Sequence, residues 1–122
     1  MEGIKNLFYG KKASKLAFEE LNAADTILIE TQNNTYRFLI LDLISGRGIL
    51  SGGAVGKSSY AAMLIGSLIQ EGSSFRLDSS CLKTGARANF YLENEDGADR
   101  LVTSIITGLF LVRDDKAQRR IA

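Results

Sequence analysis

Residues 49–70 read ILSGGAVGKSSYAAMLIGSLIQ, and the two conformations open to them belong to different fold classes. Within this stretch SGGAVGKS, Ser51 to Ser58, is one residue short of a phosphate-binding loop, G-x-x-x-x-G-K-[ST]. In that loop backbone N–H groups wrap the phosphates, Lys reaches the outer one and Ser or Thr holds Mg²⁺. Gly56, Lys57 and Ser58 fit the pattern, but Ser51 stands where its first Gly belongs. A phosphate loop needs a helix after it, and one can be drawn: Ser58 as cap, Ala61, Leu64, Ile65, Leu68 and Ile69 on one face, Gly72 as stop. The same residues also make a strand with two apolar faces, and Gly66 would cost a helix roughly 1 kcal/mol relative to Ala.

The residues upstream favour the strand. A phosphate loop follows a buried parallel strand, whereas here GRGIL offers two apolar residues behind a glycine turn. FLILD, ending at Asp42, is the single candidate for an acidic metal-binding strand, and it precedes the loop where the usual order places it afterwards. The expectation is a glycine-rich turn between β-strands. Gly56, Lys57 and Ser58 become cofactor-binding residues only on the alternative reading, a nucleotide or phosphate binder.

Working outward, TILIETQNNTYRFLIL alternates on both sides of Asn33-Asn34. Asn tolerates positive φ, so a two-residue turn centred there is expected. It pairs Thr31 with Tyr36, Ile29 with Phe38 and Ile27 with Ile40 on a buried face, and Glu30 with Arg37 and Leu28 with Leu39 on the other. Leu41, Leu43 and Ile44 prolong the outer apolar surface. ARANFYLE alternates again, with Ala86, Ala88, Phe90 and Leu92 opposite Arg87, Asn89, Tyr91 and Glu93. After the polar NEDGAD segment, RLVTSIITGLFLVR is rich in β-formers, and Gly108 within it signals a bulge. Lys12 to Leu21 has a helical pattern with Leu16, Ala17, Leu21 and Ala24 near one face. At about ten residues such a helix must dock to be stable.

The fold expected is mainly β: a small antiparallel barrel or strongly curved sheet of about six strands with one N-terminal α-helix. The chain of 122 residues divides into that helix (12–22), the β-barrel (26–113) and a polar tail (114–122), forming one domain.

Composition removes more functions than it suggests. The chain has no His, which excludes hydrolysis through a His base and His-ligated zinc. Its single cysteine, Cys81, cannot form an internal disulfide and suits a reducing cytoplasm as a small buried side chain. A formal net charge of +1 gives no basic surface for nucleic acid or anionic membrane. The acidic cluster Glu93, Glu95, Asp96 and Asp99 lacks the order of a calcium loop. No catalytic residue, metal ligand or cofactor is indicated.

Two resemblances attach to particular residues. DLISGRGIL, Asp42 to Leu50, resembles the D-x-S-x-x-G stretch of PilZ domains, with the spacing off by one and no R-x-x-x-R segment upstream, only Arg37. That resemblance implies a small barrel binding a cyclic dinucleotide. ETQNNTYRF, GRGILSGG, CLKTGARANF and LVTSII, spanning Glu30 to Ile106, resemble short, functionally uncharacterised bacterial proteins of β-barrel-like character. This second likeness implies architecture alone and makes Gly52-Gly53 a structural turn.

The function expected is a non-enzymatic interaction or structural module that self-associates as a homo-oligomer through its apolar outer strand surface. The alternatives are the phosphate loop, the cyclic dinucleotide site, and oligonucleotide binding through Arg37, Arg47, Arg76 and Arg87. The small-molecule ligand, if any, is not specified by the sequence.

Overall fold

The structure, a computed structural model, describes residues 10–94 and 97–113. The described residues form ten β-strands in chain order: β1 (Gly10–Ala13), β2 (Lys15–Ala17), β3 (Thr26–Thr31), β4 (Thr35–Asp42), β5 (Arg47–Gly52), β6 (Ser59–Glu71), β7 (Ser74–Asp78), β8 (Cys81–Lys83), β9 (Arg87–Asn94) and β10 (Gly97–Val112). Eight of them form one antiparallel sheet, and β2 pairs with β8 in a separate ribbon. Followed from β3, the pairings β3–β4–β5–β6–β9–β10 lead back to β3. Strand β1 flanks the second half of β10, and β7 flanks the end of β6.

The period-2 pattern sets the core. Ile27, Ile29, Tyr36, Phe38, Ile40, Leu50, Leu64, Ala88, Phe90, Ile106 and Leu109 are all buried in one cluster. At its centre Phe38 meets Phe90 with ring centroids 5.3 Å apart, tilted by 60°, an arrangement that suits the ring quadrupoles. Bulges re-aim the long strands. The β6–β9 register shifts between Leu64 and Gly66, and the β10–β3 register shifts between Ile106 and Gly108, where the sequence placed one. Gly66 has φ +148, and a Cβ there would collide with the Asp78 carbonyl.

The N-terminal helix expected over 12–22 is absent; the described residues contain no α-helix. Residues Gly10–Ala13 and Lys15–Ala17 are strands, broken at Ser14, and Phe18–Glu20 make one 3₁₀ turn. Strand β10 outruns its partner β9, and β1 supplies ladder partners for the surplus residues Leu109 to Val112. A short isolated helix has no comparable source of stability. Leu16 and Leu21 are still buried, as the helical reading required, but Ala24 is exposed with φ +73.

The β3–β4 hairpin forms in a register two residues away from the expected one. Ile29 pairs with Tyr36, Ile27 with Phe38 and Leu28 with Arg37. The turn centres on Gln32-Asn33, and neither Asn adopts positive φ. Instead the Thr31 hydroxyl accepts from the Asn34 N–H at 3.0 Å, while the Thr31 N–H donates to the Asn34 carbonyl at 2.8 Å. A slip of two residues keeps every side chain on its face, so the buried set is the expected one. The proposed Glu30–Arg37 pairing is lost; Glu30 sits opposite Thr35.

One buried ion pair fastens the end of β10. Asp25, 1% exposed, accepts from Arg113 Nε at 2.9 Å and Nη2 at 2.8 Å, and from the Asn22 N–H at 2.8 Å. The polar tail (114–122), with Glu95 and Asp96 of the acidic cluster, lies outside the described residues.

Candidate functional site

The glycine-rich segment folds as strand–turn–strand. Strand β5 ends at Gly52, Gly53–Val55 form one 3₁₀ turn, and β6 begins at Ser59. No helix N-terminus faces the loop, so the dipole and the fan of free N–H groups that hold phosphate are missing. Three of the loop's N–H groups are already used: Gly52 donates to the Gly56 carbonyl, Gly56 to the Gly53 carbonyl, and Ala54 to the Tyr36 hydroxyl, at 3.2, 3.2 and 3.3 Å. The glycines have a packing reason. Gly53 lies against the Tyr36 ring, where a Cβ would overlap it, and a Cβ on Gly52 would stand 2.7 Å from the Thr35 carbonyl oxygen. Lys57 and Ser58 are exposed at the tip.

The four arginines suggested for nucleic acid do not converge. Arg47 pairs with Glu93 at 3.0 Å and Arg76 with Glu71 at 2.9 Å. Arg76 lies opposite Ile69 and Arg87 opposite Leu68 on β6, so they project from opposite faces of the sheet. Arg37 stands on β4, across from Leu28 and Ser51. The described residues hold no group of three or more His, Cys, Asp or Glu side chains able to bind a metal ion.

Cys81 is fully buried beside β6, where the Ser67 hydroxyl donates to its carbonyl at 2.8 Å. Burial pushes its thiol up from the ordinary range, and the nearby Asp78 carboxylate pushes in the same direction. A thiol so placed is a poor nucleophile. Asp78 behaves oppositely. The Ser80 hydroxyl at 2.6 Å and the Ser80 amide at 3.0 Å both donate to its Oδ1 and hold its carboxyl at about 2. Together these groups form a turn that joins β7 to β8.

The outer face of β7, β6, β9 and β10 is the most distinctive surface. Leu68, Phe75, Arg87, Arg100 and Val102 line an open groove of about 520 Å³. Phe75 is 56% exposed and Leu77 46%, with Tyr91 and Val102 also exposed nearby. The two guanidiniums are tethered: Arg87 Nη1 donates to the Thr103 carbonyl at 3.3 Å, and Arg100 Nε to Asn89 Oδ1 at 3.1 Å. Asn89 is expected on the outer, polar side of β9, yet it is buried, and Arg100 satisfies its amide oxygen. A second exposed apolar group, Leu41, Leu43 and Ile44, sits at the β4–β5 turn, with no helix among the described residues over it.

Of the residues on β7 only Arg76 is a candidate from sequence, and Arg100 is not one. The signal was available in SFRLD, Ser74 to Asp78, where Phe75 and Leu77 alternate with charged residues. No helix among the described residues is long and apolar enough to cross a membrane. Comparison of the chain with protein-family models, curated proteins and solved structures finds no match.

Proposed function

We propose that this chain is a non-enzymatic interaction module, a small six-stranded barrel that self-associates through the outer face of β6, β7, β9 and β10. The observation that carries this reading is the exposure of Phe75, Leu77, Tyr91 and Val102 on one side of the sheet. Contiguous exposed apolar surface with an aromatic anchor and arginines at hand is the composition of protein interfaces. The circuit of pairings from β3 back to β3 supports the barrel, and the buried, free Cys81 suits a reducing cytoplasm. The partner is a second copy of the chain.

Sedimentation velocity across the micromolar range tests this. Wild type is expected to pass from monomer to dimer as concentration rises, and Phe75→Glu to weaken association by about tenfold or more, with an unchanged melting temperature at dilutions where both are monomeric. A single monomeric species at every concentration would refute self-association.

A further inference from the structure

The described sheet has two open edges, β1 and β7, and they are guarded differently. An unpaired edge presents a row of free N–H and C=O groups, which proteins blunt with short strands and lysines. Strand β1, described from Gly10 to Ala13, carries lysines in its sequence, GKKA. Strand β7, SFRLD, has neither Lys nor Pro, and it exposes Phe75 and Leu77. The two-residue turn at Gly72-Ser73 makes Glu71–Ser74 the closing pair of the β6–β7 hairpin. In an antiparallel ladder the hydrogen-bonded pairs alternate from there. Ser74, Arg76 and Asp78 therefore turn their backbone groups to β6, and Phe75 and Leu77 turn theirs to the open edge.

We propose that two copies of this chain join by antiparallel pairing of β7 with β7 across a two-fold axis at Leu77, extending the sheet from one protomer into the next. This deepens the self-association reading and rests on it. Charge selects the register. With Leu77 on the axis, Arg76 of each copy lies opposite Asp78 of the other, which gives two cross-strand ion pairs. With Arg76 on the axis two like charges would face each other, which is destabilising. With Phe75 on the axis, Arg76 meets Ser74 and Asp78 gains nothing. Arg76 spends its Nε on Glu71 at 2.9 Å, which leaves its terminal N–H groups for the partner. Asp78 is held ionised by Ser80. Leu77 exchanges both backbone hydrogen bonds with its symmetry mate, and Phe75 continues the apolar face on each side.

Amide hydrogen exchange on the wild-type protein reads the edge directly. Between dilute and concentrated samples the Phe75 and Leu77 amides are expected to slow by about tenfold or more, while the Arg76 amide, already bonded to β6, does not change. Leu77→Cys supplies a second reading. Opposed residues of a hydrogen-bonded antiparallel pair lie about 5.5 Å apart at Cα, inside the roughly 4.4–6.8 Å that a disulfide spans. Mild oxidation is expected to give a covalent dimer from Leu77→Cys and none from Leu41→Cys or from wild type, whose Cys81 is buried. A dimer in sedimentation whose Leu77 amide stays fast, and whose Leu77→Cys form cross-links no better than Leu41→Cys, overturns the edge pairing and leaves self-association standing. A monomer at all concentrations removes both.

Discussion

Replacing Arg113 by Met tests how the end of β10 is held. Asp25 is 1% exposed, and its carboxylate accepts two bonds from the guanidinium and one from the Asn22 amide. Arg113→Met keeps most of the aliphatic stem and removes the guanidinium with its bonds to Asp25 and to the Glu20 carbonyl. The carboxylate is then left in the interior with a single N–H donor. Breaking a buried pair by removing one partner costs about 3–5 kcal/mol. The low end applies here, because the Asn22 bond remains and the Arg113 side chain is 36% exposed. About 3 kcal/mol is therefore expected, which at roughly 4 °C per kcal/mol lowers Tm by about 12 °C.

The reverse substitution is milder for a stated reason. Asp25→Asn keeps an acceptor for the Asn22 amide, and the guanidinium, 36% exposed and also directed at the Glu20 carbonyl, keeps access to water. A loss of about 1–2 kcal/mol is expected, that of charged hydrogen bonds partly replaced by water. The double variant should cost less than the sum of the two by about 1–2 kcal/mol, since the Asp25–Arg113 bonds are lost only once. Urea denaturation with an unchanged m-value measures all three. If Asp25→Asn proves costlier than Arg113→Met, the argument from an uncompensated buried carboxylate is wrong.

Four further outcomes follow from local geometry. Gly66→Ala should destabilise by about 2–4 kcal/mol in urea melts, from backbone strain at φ +148 and the collision with the Asp78 carbonyl. Gly56→Ala, at φ +74 in open space, should cost only about 1 kcal/mol. The Asp78 carboxyl, held at about 2 against an ordinary 3.8 by the Ser80 hydroxyl and amide, has a depressed folded-state value. Its stabilisation is thus present above pH 3.8 and lost as the pH falls through about 2. Asp78→Asn should accordingly be destabilising at pH 6 and nearly neutral at the acid end, and Ser80→Ala should move the carboxyl's NMR titration midpoint upward. Thr31→Val removes the hydroxyl that accepts from the Asn34 amide and from Ser104, and about 1–2 kcal/mol should be lost in the same melts. A loss under a few tenths would leave the turn without its supposed fastening.

What the sequence could convey depended on whether the governing interaction is periodic. The buried set Ile27, Ile29, Tyr36, Phe38 and Ile40 follows from alternation, and alternation is blind to a slip of two residues. The hairpin register was set instead by Thr31 Oγ1 reaching the Asn34 amide, a contact with no compositional mark. The helical pattern at Lys12–Leu21 placed Leu16 and Leu21 inside correctly, but spacing alone could not reveal that β9 leaves one edge of β10 open at Leu109 to Val112, opposite β3, for β1 to cover. Gly66 was readable as a weakness in a helix; its use as a bulge facing Asp78 depends on a strand twelve residues away.

The glycine loop and the β7 edge are linked by the same logic. A phosphate loop needs its N–H groups unspent, yet here Gly52, Ala54 and Gly56 spend theirs on Gly56, Tyr36 and Gly53. Its glycines answer to the Tyr36 ring and the Thr35 carbonyl, so the resemblance to a phosphate cradle arises from packing around an aromatic residue. At β7 the reverse holds: Phe75 and Leu77 direct their backbone groups outward, with exposed apolar side chains beside them. Unspent backbone donors and acceptors are what a recognition surface has to offer. By that criterion the proposed interface belongs at the SFRLD edge, and the conspicuous SGGAVGKS spends three of its N–H groups within its own turn and on Tyr36.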